Sequence, residues 1–457
     1  MTQQRTPTAL GTEEIGKLLM QYAVPAIIAM TASSLYNMVD SIFIGHGVGA
    51  MALSGLALTF PLMNLAAAFG SLVGVGASTL ISVKLGQRDY DTAQTVLGNV
   101  LVLNVLFGLG FTVLVLPFLD PILYFFGGSE ETVPYARDFM QIILLGNVVT
   151  HMYLGLNAVL RASGHPKEAM YATIATVVVN VILAPLFIFV FDWGIRGAAT
   201  ATVLAQTISL VWQLRLFSNP KELLHFRKGI YRLKRNIVSS SLAIGLSPFL
   251  MNVAACFIVI LINQGLKKYG GDLAIGAFGI ANRLSFIIVM IVMGLNQGMQ
   301  PIAGYNFGAQ LYDRVTMVLK KTIIYATVVT TAGFAVCMAF PHLVVSIFTT
   351  DTELVEISAY GLRIVVMFFP VIGFQMVTSN FFQSIGMAGK AIFLSLTRQL
   401  LILIPCLLIL PRFWGADGVW YSMPLSDLLA SVIAGVMLYQ QFRAFKQEGP
   451  HAVKPTV

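Results

Sequence analysis

Residues 24–45 read VPAIIAMTASSLYNMVDSIFIG, and this apolar stretch can cross a bilayer, because a spanning helix needs about 20 apolar residues. It contains a proline near its start, Pro25, and one acid in its second half, Asp40. A carboxylate inside a membrane helix costs roughly 2.5–3.5 kcal/mol on insertion scales, and such residues usually mark an ion or proton path. We therefore predict a functional role for Asp40. The alternative is that Asp40 lies at the end of the helix and contacts water.

The whole chain has the composition of an integral membrane protein. Of its 457 residues, 57% are hydrophobic and 11% are charged, whereas soluble domains carry about 25% charged residues. The apolar runs are continuous, which favours helices over a β-barrel. We predict an all-α integral membrane fold with 12 transmembrane helices and no large soluble domain. The predicted spans are 15–44, 51–82, 93–118, 135–161, 168–191, 197–217, 237–265, 273–308, 315–341, 354–384, 390–410 and 417–440.

The basic residues predict the topology. The net charge is +8, and most of the 28 Lys and Arg residues fall on one side of the membrane if the twelve spans alternate. The positive-inside rule then places both termini in the cytoplasm of a plasma membrane, as in a bacterial inner membrane. The first residues lack a signal-peptide pattern, so we expect the first span to be retained. We expect a monomer that contacts lipid and small molecules but no nucleic acid. The densest basic group consists of Lys221, Arg227, Lys228, Arg232, Lys234 and Arg235.

The two halves of the chain resemble each other at an offset of about 222 residues, and internal repeats of this kind define many transporter folds. Each half holds six spans, so the two repeats have the same topology. We predict an N-terminal six-helix bundle at 1–217, a cytoplasmic linker at 218–236, and a C-terminal six-helix bundle with a short cytoplasmic tail at 237–457. The matched positions are Pro25 with Pro248, Gly76 with Gly298, Gly86 with Gly308, 160–164 with 382–386, and 193–197 with 414–418.

Polar residues inside the spans of the N-terminal half suggest an ion site around Asp40. Such a cluster could supply oxygen ligands to a sodium ion, or burial could let Asp40 exchange a proton near neutral pH. Each amide or hydroxyl taken singly is explained by hydrogen bonding between helices. Asp427 is a possible second coupling site, and a helix-packing role for it is equally compatible with the sequence. The predicted coupling residues beside Asp40 are Asn37, Asn157, Thr176, Asn180, Thr202 and Gln206.

No enzyme constellation is present in the sequence. The run from Gly11 to Lys17 matches the start of a phosphate-binding loop, but Leu18 stands where Ser or Thr should hold magnesium. Without an ATP site, uphill transport needs an ion gradient. The three cysteines are scattered through apolar runs, which indicates neither a disulfide framework nor a metal site. We expect no cofactor and no metal beyond a coupling ion, H⁺ or Na⁺, at Asp40.

At these residues the sequence resembles the multidrug and toxic compound extrusion (MATE) transporters, within them the MepA-like branch. The resemblance covers nearly the whole chain. It implies two six-helix bundles, and export of amphiphilic and cationic organic compounds in exchange for sodium or protons. It also implies that Asp40 is the cation-binding acid, with Asn180 and Thr202 as its partners. The residues that carry it are Pro25, Asp40, Ile44–Gly45, Gly86, 160–164, Asn180, Pro185 and 194–197.

The chain departs from some relatives at three positions. A second acid that follows the asparagine of span five by four residues is replaced here by Ala184. Acids of spans seven and ten are replaced by Cys256 and, approximately, Ile372. These departures leave the choice between sodium and protons open. They also disfavour a coupling site in the second half, unless Asp427 supplies one.

The substrate path is less readable, because polar and aromatic residues also serve helix packing. Methionine and aromatic side chains adapt to varied apolar ligands, and an acid nearby would favour cations. The predicted path residues are Tyr36, Met63, Asn64, Tyr153, Asn282, Gln297 and Gln375.

Three other functions compete with a cation-coupled exporter. A lipid-linked oligosaccharide or lipid II flippase has a related fold, but such proteins often add two helices and line the cavity with cations. A passive channel would ignore both sodium and pH gradients. A twelve-span facilitator of another fold is disfavoured because its usual loop motif between spans two and three is absent.

Overall fold

A computed structural model describes residues 8–447, apart from the side chains of Met38, Ala50, Leu53, Asp272 and Gln447. Within that range the regular elements are all helical. The spanning helices are α1 (Ile15–Gly47), α2 (Ala50–Gly86), α3 (Tyr90–Phe125), α4 (Val133–Leu145 and Asn147–Ala162), α5 (Pro166–Val190), α6 (Gly194–Phe217), α7 (Arg235–Gly271), α8 (Leu273–Gly308), α9 (Tyr312–Ala339), α10 (Thr352–Val365 and Phe369–Ser384), α11 (388–414) and α12 (416–447).

Twelve helices agree with the twelve predicted spans. By length and hydropathy, eight described helices qualify as membrane spans, or ten when each bent pair counts as one span. The segment Ala388–Lys446 is 59 residues long and breaks at Gly415, whose φ of 56° is outside the helical range, so it forms two spans. Helix α6 has 24 residues, which is long enough to cross the hydrocarbon core.

The two repeats bend at matching places. The two segments of α4 meet at 57° around Gly146, and those of α10 meet at 55° just before Pro370. Pro370 lies in the first turn of the second segment of α10, where its missing N–H would have no intrahelical partner in any case. The bends therefore agree with the internal repeat.

The chain forms two compact units whose limits fall inside α1 and α7. One unit contains Ile28–Phe249, and the other contains Glu13–Ile27 together with the chain from Leu250 onward. Each of these two helices thus changes unit close to a proline, Pro25 in α1 and Pro248 in α7. The predicted linker at 218–236 concerns the sequence repeat, and that boundary stays a prediction.

We call the first halves of α1 (15–27) and α7 (235–249) the exchanged half-helices, because each belongs to the unit formed mainly by the other half of the chain. Glycines let them pack closely. In the second unit, a Cβ placed on Gly298 of α8 would lie 2.6 Å from the Ala23 backbone of α1. In the first unit, a Cβ on Gly76 of α2 would lie 1.8 Å from the Ser241 carbonyl oxygen of α7. Small residues allow such backbone contact between membrane helices. Gly76 and Gly298 are the positions that the repeat matches.

The segment between α6 and α7 is held against α3. The Asn99 side chain donates to the carbonyl oxygens of Ile230 (3.2 Å) and Arg232 (3.1 Å) and accepts from the Lys234 amide (3.2 Å). Gln94 makes a similar pair of bonds with the backbone of His225. Because both amides bind the main chain of the segment, the predicted linker is an ordered part of the first unit.

Candidate functional site

Three polar side chains from α1, α5 and α6 meet inside the first unit. The Tyr36 hydroxyl and the Thr202 hydroxyl are 2.9 Å apart, and the Asn180 amide nitrogen donates to both oxygens at 3.0 Å. Thr202 also donates to the carbonyl oxygen of Ala198, one turn earlier in α6. The Tyr36 hydroxyl therefore joins α1 to the pair that α5 and α6 contribute.

Asp40 lies one helical turn after Tyr36, on the same face of α1. Its side chain is buried, and its Oδ1 atom has no hydrogen-bond partner among the described residues. The Oδ1 atom of Asn180 is buried and unpartnered in the same sense. An unpaired buried acceptor costs the desolvation energy of that group, so native structures usually satisfy it with a donor, water or an ion.

The arrangement therefore fits a small cation. A buried carboxylate is normally paired or bound to a cation, and here the described part of the chain supplies no positive partner for Asp40. The acceptor oxygens of Asn180, Tyr36 and Thr202 are the additional ligands at hand. Ala184, which is fully buried, stands at the position where some relatives carry a second acid, four residues after the asparagine of span five.

The other predicted coupling residues have partners elsewhere. Thr176 of α5 donates to Ser209 of α6 at 2.7 Å, and Gln206 of α6 accepts from Thr150 of α4. The Asn37 side chain is exposed, and its carbonyl oxygen accepts from Ser41. Of the predicted set, Asn180 and Thr202 are hydrogen-bonded together with Tyr36 beside Asp40.

A second polar group joins α4 to the start of α5. Asn157 donates to the Ala169 carbonyl oxygen at 2.9 Å and to the Thr173 hydroxyl at 3.3 Å. The Tyr153 hydroxyl also donates to Thr173, at 3.4 Å. Arg161, in the last turn of α4, donates to the Asn157 side-chain oxygen. Asn157 and Tyr153, both on α4, thus contact α5 at positions between Asn180 and the α4–α5 turn.

The other acid that the sequence analysis named, Asp427, is already paired. Its Oδ1 accepts from the Nε of Arg398 at 2.7 Å, and both residues lie in the second unit, on α12 and α11. Sequence reasoning missed Arg398, although a cation eight residues inside the apolar run 390–410 was a usable signal. Because a guanidinium neutralises Asp427, this site differs from that of Asp40.

The predicted substrate-path residues do not form one hydrogen-bonded group. Tyr36 and Tyr153 take the partners described above, and Met63 accepts from the Thr59 hydroxyl. Asn64 and Asn282 are exposed, Gln297 is half-buried and Gln375 is buried. The substrate path stays a prediction. Among the described residues, no three His, Cys, Asp or Glu side chains group together as a metal site would need.

A family model supplies the assignment that the geometry suggests. The MatE model matches residues 25–186 and again residues 243–408, once in each sequence repeat. The chain belongs to the MatE family. The two matches confirm the internal repeat on which the MATE resemblance was partly based, and Asp40, Asn180 and Tyr36 all lie within the first match.

Whole-chain comparisons agree with membership of the MatE family. The multidrug export protein MepA of Staphylococcus aureus (strain MSSA476) is 28% identical over 427 residues, which is 93% of each chain. MepA of Staphylococcus haemolyticus (strain JCSC1435) is 29% identical over 429 residues, again 93% of each chain. The resemblance to MepA-like proteins is thereby confirmed.

Solved structures show the same fold. An outward-facing multidrug resistance MATE family transporter of the MOP superfamily has a TM-score of 0.91, with 24% identity, over 97% of this chain and 99% of that one. At this identity the likeness establishes the fold alone. The predicted all-α, twelve-helix MATE-like membrane fold is confirmed, and the chain is a multi-pass membrane protein.

Proposed function

We propose that this MatE-family protein is a secondary active exporter of amphiphilic or cationic organic compounds, driven by Na⁺ or H⁺ that enters through Asp40. The observation that supports the proposal is the pair of buried, unpartnered oxygens on Asp40 and Asn180. The MepA relatives are multidrug export proteins by name, which supports organic compounds as the cargo.

The coupling mechanism follows from the cost of burying a charge. An ionised, unpaired carboxylate is unfavourable in a low-dielectric interior, so Asp40 is stable when a proton or a metal cation neutralises it. Loss of that cation leaves a buried negative charge, which favours any rearrangement that hydrates or pairs the carboxylate. A cycle that alternates between these two states of Asp40 would convert an ion gradient into export.

The proposed roles are divided among few residues. Asp40 binds the coupling cation, Asn180 offers its Oδ1 atom as a further ligand, and Tyr36 and Thr202 hold the Asn180 amide in place through its nitrogen. Asp427 is assigned to packing within the second unit, because Arg398 already neutralises it. The chain acts as a transporter without an enzymatic step, in a bacterial plasma membrane, with both termini in the cytoplasm.

Ethidium efflux from proteoliposomes, with sodium and pH gradients imposed in separate experiments, tests this function. We expect one of the two gradients to drive efflux by the parent protein, and Asp40→Asn to lower the gradient-driven part by about 10- to 100-fold. Asp120→Asn is the matched control, because Asp120 is a partly exposed acid paired with Arg137 at 3.0 Å. Efflux by Asp40→Asn at the parental rate under the driving gradient would refute coupling at Asp40.

A flippase for lipid-linked oligosaccharides or lipid II is the alternative function. The same vesicles distinguish it, since a flippase would move a fluorescent lipid-linked sugar between leaflets and leave ethidium in place.

A further inference from the structure

Polar side chains follow one face of α5 from its first turns to the Asp40 site. Thr173, Thr176 and Asn180 are three and four residues apart, so they lie on the same side of the helix. Each of them is hydrogen-bonded to a neighbouring helix of the first unit: Thr173 to α4, Thr176 to α6, and Asn180 to α1 and α6. This face of α5 is therefore lined with hydroxyl and amide groups, whereas most of the helix is apolar.

The polar side chains form a sequence of short steps. With a rise of about 1.5 Å per residue, Thr173 to Thr176 is about 4.5 Å along the axis, and Thr176 to Asn180 is about 6 Å. One water molecule or one bound ion can bridge such a step. From Thr173 to Asn180 the track measures about 10.5 Å along the axis of α5, which is roughly a third of a 30 Å hydrocarbon core.

The track ends at a cation. Arg161 is half-buried at the end of α4, and its guanidinium donates to the side-chain oxygen of Asn157. Among the described residues no acid forms an ion pair with Arg161. The Asn157 amide nitrogen in turn donates to Thr173. A positive charge therefore holds the last oxygen of the track next to the α4–α5 turn.

We infer that the coupling cation leaves Asp40 along this α5 track, through Asn180, Thr176, Thr173 and Asn157, and that Arg161 closes the end of the track. This inference rests on the proposed function, since it requires a cation at Asp40. The hydroxyl groups can ligate Na⁺ through oxygen or relay a proton with intervening water, because each can both donate and accept a hydrogen bond. A cation reaching Asn157 must displace the guanidinium from its oxygen, so Arg161 acts as an electrostatic gate.

The path of the ion is then confined to the first unit. The residues of the track and its gate all belong to Ile28–Phe249. By the predicted topology, the α4–α5 turn lies on the cytoplasmic side, which is where an inward-moving cation must be released. Changes in the track should therefore alter ion flux while leaving ethidium binding intact.

The first test removes the hydroxyls of the track. Thr173→Val with Thr176→Val keeps the side-chain shape and replaces two oxygens by methyl groups. We expect gradient-driven ethidium efflux to fall about tenfold or more, because each apolar step withholds a hydrogen-bonding partner from the moving cation. Ethidium affinity, measured by fluorescence on the purified protein, should stay within about twofold of the parental value, because the track is proposed to carry the cation and not to bind ethidium.

Thr112→Val is the matched control. The Thr112 hydroxyl also bonds to a neighbouring helix, donating to the Leu144 carbonyl oxygen, but it lies on α3, away from the track. If the track threonines had only a structural role, efflux by the double valine variant would fall in proportion to its loss of thermal stability, as it does in the control. The track requires that the double valine variant lose far more efflux than its loss of thermal stability explains, while Thr112→Val keeps the parental rate.

The second test opens the gate. Arg161→Gln should raise the leak of the driving cation in vesicles without ethidium, by about tenfold, while Arg161→Lys, which keeps the charge, should hold the leak near the parental rate. The leak is measured under a sodium gradient and a pH gradient separately, which also identifies the cation. If Arg161→Gln folds poorly, Arg161→Met, which keeps an apolar stem and removes the charge, takes its place in the leak assay.

The outcomes separate this inference from the proposed function. If Asp40→Asn is inactive and the double valine variant transports at the parental rate, the track is overturned and coupling at Asp40 stands. An Arg161→Gln leak equal to the parental one would overturn the gate. Asp40→Asn active would overturn the proposed function itself, whatever the track variants do.

Discussion

The two units each bury an acid, and the two acids differ in what surrounds them. In the first unit, Asp40 has a side-chain oxygen without a partner in the described part of the chain, and so does Asn180, which is hydrogen-bonded to Tyr36 one turn before Asp40. In the second unit, Arg398 binds Asp427 at 2.7 Å. A buried acid with a fixed cation is compensated at all times, whereas a buried acid without one depends on a mobile cation. Burial alone therefore does not identify a coupling acid.

The repeat places the two acids at unrelated positions. At the offset of about 222 residues, Asp40 corresponds to Asn263 or its neighbour Ile262, and Arg398 corresponds to Thr176. In the first unit Thr176 is bonded to Ser209, and in the second unit Arg398 is bonded to Asp427. The equivalent pairs of helices are thus joined differently: α5 and α6 by two neutral hydroxyls, and α11 and α12 by an ion pair. The two repeats share a backbone and differ in their charges.

Breaking the ion pair should give the largest effect. Arg398→Ala leaves Asp427 buried without a partner, and removing one member of a buried pair costs about 3–5 kcal/mol. We expect a large drop in the melting temperature in detergent. Replacing both partners, with Arg398→Met and Asp427→Leu, should recover most of the stability. An Arg398→Ala protein as stable as the parent would show that the pair contributes nothing.

Neutralising Asp40 should not lower the stability, in contrast to breaking the ion pair of Asp427. Asp40→Asn removes an uncompensated charge, so the melting temperature should stay the same or rise. Gradient-driven efflux should fall by about 10- to 100-fold, because a charge-assisted contact contributes roughly 1.5–3 kcal/mol. Asp427→Asn serves as the comparison in both assays. Asp40→Asn losing as much stability as Asp427→Asn would mean that Asp40 has a structural partner.

The packing of the exchanged half-helices can be tested at the repeat-matched glycines. Gly298→Ala should destabilise the second unit by about 1–3 kcal/mol, because the added methyl meets the Ala23 backbone at 2.6 Å and a backbone cannot move aside. Gly279→Ala, on the same helix α8, is the control, since a methyl added there would meet nothing within 4 Å. Thermal unfolding measures both. Equal stabilities for the two variants would contradict the close contact.

The smallest effect is expected at the hydroxyl beside Asp40. Tyr36→Phe removes the oxygen that accepts from Asn180 and lies 2.9 Å from the Thr202 hydroxyl. One neutral hydrogen bond contributes about 0.5–1.5 kcal/mol, so the apparent affinity for the coupling cation should fall about two- to tenfold. Cation-dependent ethidium efflux measures it, with Tyr171→Phe, an exposed tyrosine of α5, as control. An unchanged affinity would remove Tyr36 from the cation site.

Hydropathy was sufficient to predict the twelve helices, since each apolar run must satisfy its backbone within itself. The repeat and its matched glycines were likewise readable, and the glycines lie where helices touch. The rotation of each helix about its axis was not readable, and it decides which polar groups meet. Thr176 and Gln206 were predicted beside Asp40, but the structure pairs Thr176 with Ser209 and Gln206 with Thr150.

Long-range partners were missed for the same reason. Asp427 was named without Arg398, because the two are 29 residues apart on different helices, and spacing along one helix says nothing about such a pair. Tyr36 was assigned to the substrate path, since its hydroxyl gave no indication of the bonds to α5 and α6. The division of α1 between the two units also depends on contacts distant in sequence.

The division of α1 and α7 has a consequence for any attempt to produce the two repeats as separate polypeptides. A chain cut within 218–234 would leave residues 13–27 on a fragment that lacks Gly298 and Gly294, against which Ala23 and Ile27 pack. The other fragment would begin with 235–249 and would lack Gly76 and Leu72, on which Ser241 and Gly245 pack. Each fragment would carry about four helical turns whose packing surface belongs to the other fragment. The two fragments would therefore have to be expressed together to fold.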